Sequence, residues 1–423
     1  MPSTLQRRSF LASLAACGLV LAGPARRRAS AGTSGPRRLV LVFANGGLDT
    51  SYSIDPKGGT DIDVPSGTEE VVQGIPLWTD PTRPNTRAFF EAHGARTCVV
   101  NGIAVRSISH PECTRRMLTG RPGSGNPDIG AIVGHTLGAE LPMGYLILGT
   151  SGFSGPLAAS TGRVGQTNQI VALLDDDQGY PPMAGDDTPA FVPSSAENDR
   201  IREFVLAGVD RERAVRAAAG FNRARIDDFE ASLGRGDDLR ARADDFGKAG
   251  LSRTFDQQIE IAVQMLSAGV AWSVNIDPGV ALDTHDLNEQ QGPQQEVLFA
   301  GITELLAALA ATESESGASL LDETVVVVMS EMSRTPKLNA ALGKDHWPVA
   351  SAMVIGAGVA GGRAVGGTSD LGDALTVDLE SGETTEGGVT LGPANFAAGI
   401  LELVGADAQS FFPDVEALHA LRS

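Results

Sequence analysis

Residues 323–348 read ETVVVVMSEMSRTPKLNAALGKDHWP. Four consecutive valines, Val325 to Val328, stand between a charged start and Ser330-Glu331. A short continuous β-branched run is the pattern of a strand buried on both faces, as in the middle of a parallel sheet. The expected strand ends in Glu331. Open α/β sheets place their ligand crevices outside the carboxyl ends of the strands, so a carboxylate there is a candidate site residue. Asp345 and His346 follow within GKDHWP and add a second carboxylate and an imidazole. Each of these side chains alone reads as a loop cap or a solvated histidine. Together they read as a site.

Upstream, residues 38–44 (RLVLVFA) predict the first buried strand, running into Asn45-Gly46-Gly47-Leu48-Asp49. Two glycines after a strand let the backbone turn sharply or approach a ligand closely. Asp49 then serves either as a ligand at a strand end or as a cap on the next segment. Residues 97–103 predict a second strand, followed by SISHPECTRRMLTGRP from Ser107. Pro111 fits the first turn of a helix, with Ser109 or His110 as its cap. A hydroxyl at a helix N-terminus feels the positive end of the dipole, which lowers the cost of an alkoxide or a bound anion. The plain alternative for Ser109 is an ordinary N-cap.

Residues 128–137 predict a short helix and 144–148 a strand. Residues 149–195 are rich in Gly, Pro, Ser and Asp and read as long loops. Their acid runs, 175–177 and 186–187, read as solvated surface, with no EF-hand spacing. Residues 197–271 are charged, with apolar residues three and four apart, and predict a helical insertion or cover on the sheet. Residues 271–277 predict a strand before Asp283-Thr284-His285-Asp286, where Asp and His two apart can face one metal. A helix at 294–311, a strand at 350–356 and a helix at 393–404 complete the alternation. The result is a three-layer α/β/α fold with a mostly parallel central sheet.

The 423 residues are 42% hydrophobic, enough for a full core, with 51 glycines and 5% aromatics. The formal net charge is −19. Residues 1–31 hold five arginines and no acid, so the remainder carries 28 basic against 52 acidic residues, a net −24. Such a chain is a poor partner for nucleic acid or an anionic membrane. Arg7-Arg8-Ser9-Phe10-Leu11, the apolar run to Ala22 and Ala29-Ser30-Ala31 read as a twin-arginine export leader with an A-x-A cleavage site. The apolar run is too short for a permanent membrane span. Leu14-Ala15-Ala16-Cys17-Gly18 also matches a lipoprotein box, and lipidation at Cys17 would tether the protein to a membrane. The expected location is the periplasm, cell envelope or exterior. Cys98 and Cys113 are too few for a disulfide framework; they form one bridge or stay buried thiols.

In this order, the leader, GGLD, SHPECTRRMLTG, DTHD and TVVVVMSEMSRTP with GKDHWP resemble the exported bacterial family called domain of unknown function 1501. That family is similar in fold to the alkaline phosphatase and sulfatase superfamily, and the resemblance covers residues 36–423. It implies a metal ligand at Asp49 and a nucleophile near the Thr119-Gly120 pair. Counting ten back from Gly120 reaches His110, so Ser109 is the candidate nucleophile and His110 a ligand or proton carrier. Asp283 and His285 match an Asp/His ligand pair, and His346 a late histidine ligand. Met332 stands where the superfamily has a further histidine, and Met-Ser-Arg follows where the family usually shows Phe-Gly-Arg. Arg334 either clamps a tetrahedral anion through its fork or pairs with Glu331.

These readings converge on an exported metal-dependent hydrolase of phosphate or sulfate esters. Asp49, Asp283, His285, Glu331, Asp345 and His346 would hold one or two divalent ions (Zn, Mn, Mg or Ca). Ser109, His110 and Arg334 would carry the chemistry, on a small-molecule or glycan ester. The alternative is a non-catalytic envelope binding protein on the same scaffold.

Overall fold

Parallel pairing of two aliphatic strands sets the centre of the sheet. β1 (Arg38–Phe43) lies beside the strand of four valines, Thr324–Met329, with Val40 opposite Val326 and Val42 opposite Val328. In this computed structural model, residues 35–59, 61–163, 193–216, 220–241 and 254–423 are described. The expected leader, with Cys17 and Ala31, and the acid runs at 175–177 and 186–187 lie outside those residues.

The remaining strands of the large sheet are β2 (Thr97–Ala104), β3 (Tyr145–Ile147), β4 (Thr161–Arg163), β5 (Ser273–Ile276), β6 (Thr324–Met329, the valine strand), β7 (Val349–Gly356) and β8 (Arg363–Gly366). Their order is β8-β2-β7-β6-β1-β5-β3-β4. β7 runs antiparallel to both neighbours, and every other adjacent pair is parallel. The sheet is therefore mostly parallel, with one reversed strand inside it.

Alternation along the strands divides the core. Val40, Val42, Val326 and Val328 point to a face covered by α1 (Pro84–His93), a helix at Phe255–Ser267 and one at Gln291–Ala311, through Phe89, Ile259 and Phe299. Leu39, Leu41, Val325 and Val327 point to the other face. There α2 (His110–Thr119), α3 (Ile129–Leu137) and Pro393–Val404 contribute Met117, Ile132 and Ile400. Side chains buried on both faces explain why these strands read as unbroken apolar runs.

The stretch expected as a helical insertion divides. α4 (Ser195–Arg216) and α5 (Gly220–Ala241) are polar and tied together by Arg213 to Asp227 at 3.1 Å. α6 (Phe255–Ser267) belongs to the core layer, with Ile259, Ala262 and Leu266 buried; α7 (Gln291–Ala311) and α8 (Pro393–Val404) complete the helices of the two layers. The valine strand ends at Met329, two residues before the expected Glu331. Beyond it, Ser330 Oγ accepts the N–H groups of Gly47 and Leu48 at 3.2 and 3.1 Å, so a side chain replaces the ladder. Cys98 and Cys113 are buried free thiols, and burial pushes Cys98 up to about 12. No helix among the described residues is long and apolar enough to cross a membrane.

α3 starts at a fully buried aspartate. Asp128 accepts from Ala131 N and Phe153 N, each at 2.7 Å, and from Tyr145 Oη at 3.0 Å. Burial pushes its carboxyl up to about 6, against the pull of these donors. The folded chain thus holds this proton more tightly than the unfolded one, and that stabilisation is lost as pH rises from about 4 through about 6. Asp128→Asn cannot ionise. Urea unfolding across pH 4 to 7 is expected to show a flatter pH dependence for the variant than for the wild type, and parallel profiles would refute the assignment.

Candidate metal centre

Four loops at the carboxyl ends of parallel strands build the site. Gly46 and Gly47 follow β1, His110 follows β2 at the start of α2, Asp283 and His285 follow β5, and Glu331 follows β6. His346 arrives on the segment leading into β7. Gly46 has φ +108°, and a Cβ there would lie 2.7 Å from Asp283 N, so only glycine permits the approach. This turn aims the Gly46 N–H at Glu331 Oε1, at 2.8 Å.

Each of three imidazoles is fixed from behind through Nδ1. His110 Nδ1 meets Glu331 Oε1 at 2.6 Å, His285 Nδ1 meets Asp345 Oδ1 at 2.8 Å, and His346 Nδ1 meets the Ile108 carbonyl at 2.7 Å. Two carboxylates and a carbonyl can only accept, so in every ring Nδ1 carries the proton and a neutral ring keeps a lone pair on Nε2. All three Nε2 atoms then turn toward Asp283. His285 Nε2 lies 3.2 Å and His346 Nε2 3.4 Å from Asp283 Oδ1, and His110 Nε2 lies 3.4 Å from Oδ2. His285 Nε2 and His346 Nε2 are 3.0 Å apart. His110 Nε2 is buried with no hydrogen-bond partner.

Lone pairs that converge in this way repel unless a cation sits among them. Imidazole nitrogens with a carboxylate suit zinc or a similar divalent ion, and ring nitrogens held from behind are the usual support of such ligands. The donor set therefore fits a metal. Asp283 and His285 are about half exposed, so the cluster opens to solvent.

For the carboxylates, electrostatics agrees with these roles. Burial pushes Asp283 up, but the hydrogen bond and charge of Arg334, with His110 and His346, hold it at about 2. Burial likewise opposes ionisation of Glu331, yet the bonds from His110, Gly46 and Ser330 keep it below the usual carboxylate range. The His285 hydrogen bond lowers Asp345. The Glu331 hydrogen bond raises His110 against the opposing effect of burial.

The expected site residues thus separate. Asp283, His285 and His346 meet, and His110 joins them as a fourth donor. The two roles expected of His110, ligand or proton carrier, both fit this placement: Glu331 holds Nδ1, while Nε2 faces Asp283 without a hydrogen-bond partner. Glu331 and Asp345 stand behind histidines. Asp49 is not brought to the cluster: Lys344 Nζ at 2.9 Å, Asn288 Nδ2 at 2.8 Å and Ser51 Oγ at 2.6 Å take up its buried carboxylate. Arg334 is no anion clamp. Its side chain is wholly buried and donates to the carbonyls of Gly46, Gly47 and Lys344 and to Asp283 Oδ1 at 2.6 Å. It pairs with Asp283 rather than Glu331. Met332 packs in the apolar core. Ser109 is the exposed N-cap of α2, and its side chain makes no cap hydrogen bond.

Lys344 and Asn288 escaped the sequence reading. A lysine inside GKDHWP reads as solvated, and nothing local marks it as the fully buried partner of a residue nearly 300 positions away. A buried pair is costly to break one side at a time. Lys344→Met is expected to destabilise the protein by about 3–5 kcal/mol in urea unfolding. The double variant Asp49→Asn/Lys344→Met should recover most of that loss. Additive losses would show that the two groups are not coupled.

Solved structures with a similar arrangement include a protein in the alkaline phosphatase superfamily from Vibrio parahaemolyticus, 10% identical, with 91% of this chain and 70% of that chain covered at a TM-score of 0.39. The lipoteichoic acid synthase LtaP from Listeria monocytogenes is 9% identical over 92% of this chain and 75% of that one, at 0.38. The PsFucS1 sulfatase from Pseudoalteromonas sp. is 10% identical over 100% and 77%, at 0.37. No curated protein matches the chain. Residues 36–420 match the model of the family described as protein of unknown function, DUF1501, and the chain belongs to that family.

Proposed function

We propose that the protein is a metal-dependent hydrolase of phosphate or sulfate esters. The observation that carries the reading is that ligand atoms of His110, Asp283 and His346 all lie within 4.8 Å of one another, with His285 Nε2 3.2 Å from Asp283 Oδ1 on the side open to solvent. His110, Asp283, His285 and His346 would hold one divalent ion. Such an ion, when bound, polarises the ester oxygen and offsets the charge that develops in the transition state.

The chain's own groups supply the rest. Ser109 stands exposed at the N-terminus of α2, next to a ligand. Its Oγ would form the bond to phosphorus or sulfur as the bond to the leaving alcohol breaks, the serine proton passing through solvent to the departing oxygen. Water would then attack the phosphorus or sulfur, break its bond to Oγ and return a proton to the serine as the anion leaves. The helix dipole favours the anionic group at this position. Glu331 and Asp345 hold their histidines in one tautomer throughout. A twin-arginine leader in residues 1–31, as the sequence leads one to expect, would place this activity outside the cytoplasm. One observation favours the non-catalytic alternative: the Arg334 fork faces inward, so it offers no donor to an anion.

The test combines elemental analysis with turnover of p-nitrophenyl phosphate and sulfate after loading with Zn, Mn, Mg or Ca. Wild type is expected to hold about one ion per chain. His346→Ala should lose both metal and turnover. Ser109→Ala should keep the metal and lose turnover. Absence of metal after loading would sink the proposal, and metal without turnover of any ester would leave the binding-protein reading.

A further inference from the structure

Two leucines beside the cluster are held in a backbone conformation that leucine avoids. Leu287 has φ +49° and Leu342 φ +59°, two of only four non-glycine residues with positive φ among the described residues. They belong to one ribbon. Asp286 and Leu342 form an antiparallel bridge, Leu287 N–H donates to Ala341 O at 3.2 Å, and Asn288 N–H donates to Leu342 O at 2.8 Å. The ribbon is tight: a Cβ on Gly343 would lie 1.9 Å from the His285 carbonyl oxygen. The same ribbon carries His285 and leads into Asp345 and His346.

Both side chains stand in solvent, Leu287 42% and Leu342 59% exposed. Ile108, 58% exposed, precedes Ser109 and gives its carbonyl to His346. Large apolar side chains thus stand on the two segments that flank the open cluster. Asparagine or glycine would adopt these positive φ values with less strain and without exposing hydrocarbon. Leucine is the poorer choice for the free protein at both positions. Strain and exposed apolar surface beside a charged centre point to a ligand that covers them.

We propose that the alcohol portion of the substrate is apolar, an aryl or medium-chain alkyl group. This rests on the ester-hydrolase reading and narrows it. The anionic head lies at the histidine cluster, and the hydrocarbon lies against Ile108, Leu287 and Leu342. Substrate is the favoured occupant because the leucines share the ribbon of His285. A second copy would bring the same net charge of −19 against this one.

The test measures binding of butyl to octyl phosphonates, which cannot be hydrolysed, to the metal-loaded wild type and to Leu287→Asn/Leu342→Asn by calorimetry. Wild-type Kd is expected to fall about two- to fourfold per added methylene. The double variant should flatten that slope while keeping its thermal midpoint, because asparagine tolerates positive φ. Binding independent of chain length in the wild type would overturn the inference, as would a slope that survives in the variant. So would wild-type self-association in sedimentation that the variant abolishes. Chain-length-dependent phosphonate binding with no turnover of any ester would uphold this inference and count against hydrolysis alone.

Discussion

The guanidinium of Arg334 joins three loops that are far apart in sequence. It donates to Gly46 and Gly47 after the first strand, to the Lys344 carbonyl just before the Asp345-His346 pair, and to Asp283. Only the planar fork of arginine offers donors in several fixed directions at once. A buried guanidinium without those acceptors would be strongly destabilising, so each loop is held where it satisfies the cation. The turn that presents these two carbonyls has positive φ at both Gly46 and Gly47. A residue whose type suggests anion capture thereby sets the spacing of the ligands.

Around this hub the ionic groups are arranged in layers. Asp49 and Lys344 neutralise each other in the fully buried layer. Glu331, also buried, turns one oxygen to His110 and Gly46 and the other to Ser330. Only Asp283, His285 and Asp345 reach water to any large extent. Carboxylates that look equivalent in sequence therefore do different work. Asp49 balances a lysine, Glu331 and Asp345 each fix a histidine tautomer, and Asp283 joins the open cluster. Burial and partner choose among them, in keeping with the rule that desolvated charges need counter-charges or donors.

The layers of the fold were legible because their signal is local. Val325 to Val328 and Leu39 to Phe43 are apolar on successive residues, and that pattern fits only a strand covered on both sides. The reversal of β7 was not legible. Direction within a sheet depends on the connection rather than on the strand's own residues, and residues 349–356 read the same either way. Site residues that touch solvent, such as Asp283 and His346, stood out by residue type in the DTHD and KDHW loops. Their supports did not, because Asn288, Lys344 and the Ile108 carbonyl gain their roles from neighbours distant in the chain. Asp49 shows the converse. Its position after a strand made it look like a ligand, and Lys344 took the place of a cation.

Whether a proton or a metal ion relieves the crowded imidazoles can be argued from numbers of donors. A single proton between His285 Nε2 and His346 Nε2, 3.0 Å apart, would make one good hydrogen bond. It would leave His110 Nε2 without a partner, and that atom is buried beside the same carboxylate. A second proton, on His110, would serve that ring alone and crowd two positive rings together, with ring centroids of His110 and His346 only 4.3 Å apart. His110, Asp283 and His346 offer ligand atoms within 4.8 Å of one another, a spacing that a divalent ion would satisfy with a single charge centre. The Nδ1 partners would remain where they are, because each already accepts from a neutral ring. The donors are thus spaced more as a metal site needs than as a proton-sharing network, and Asp283 and His285 leave the cluster open to solvent.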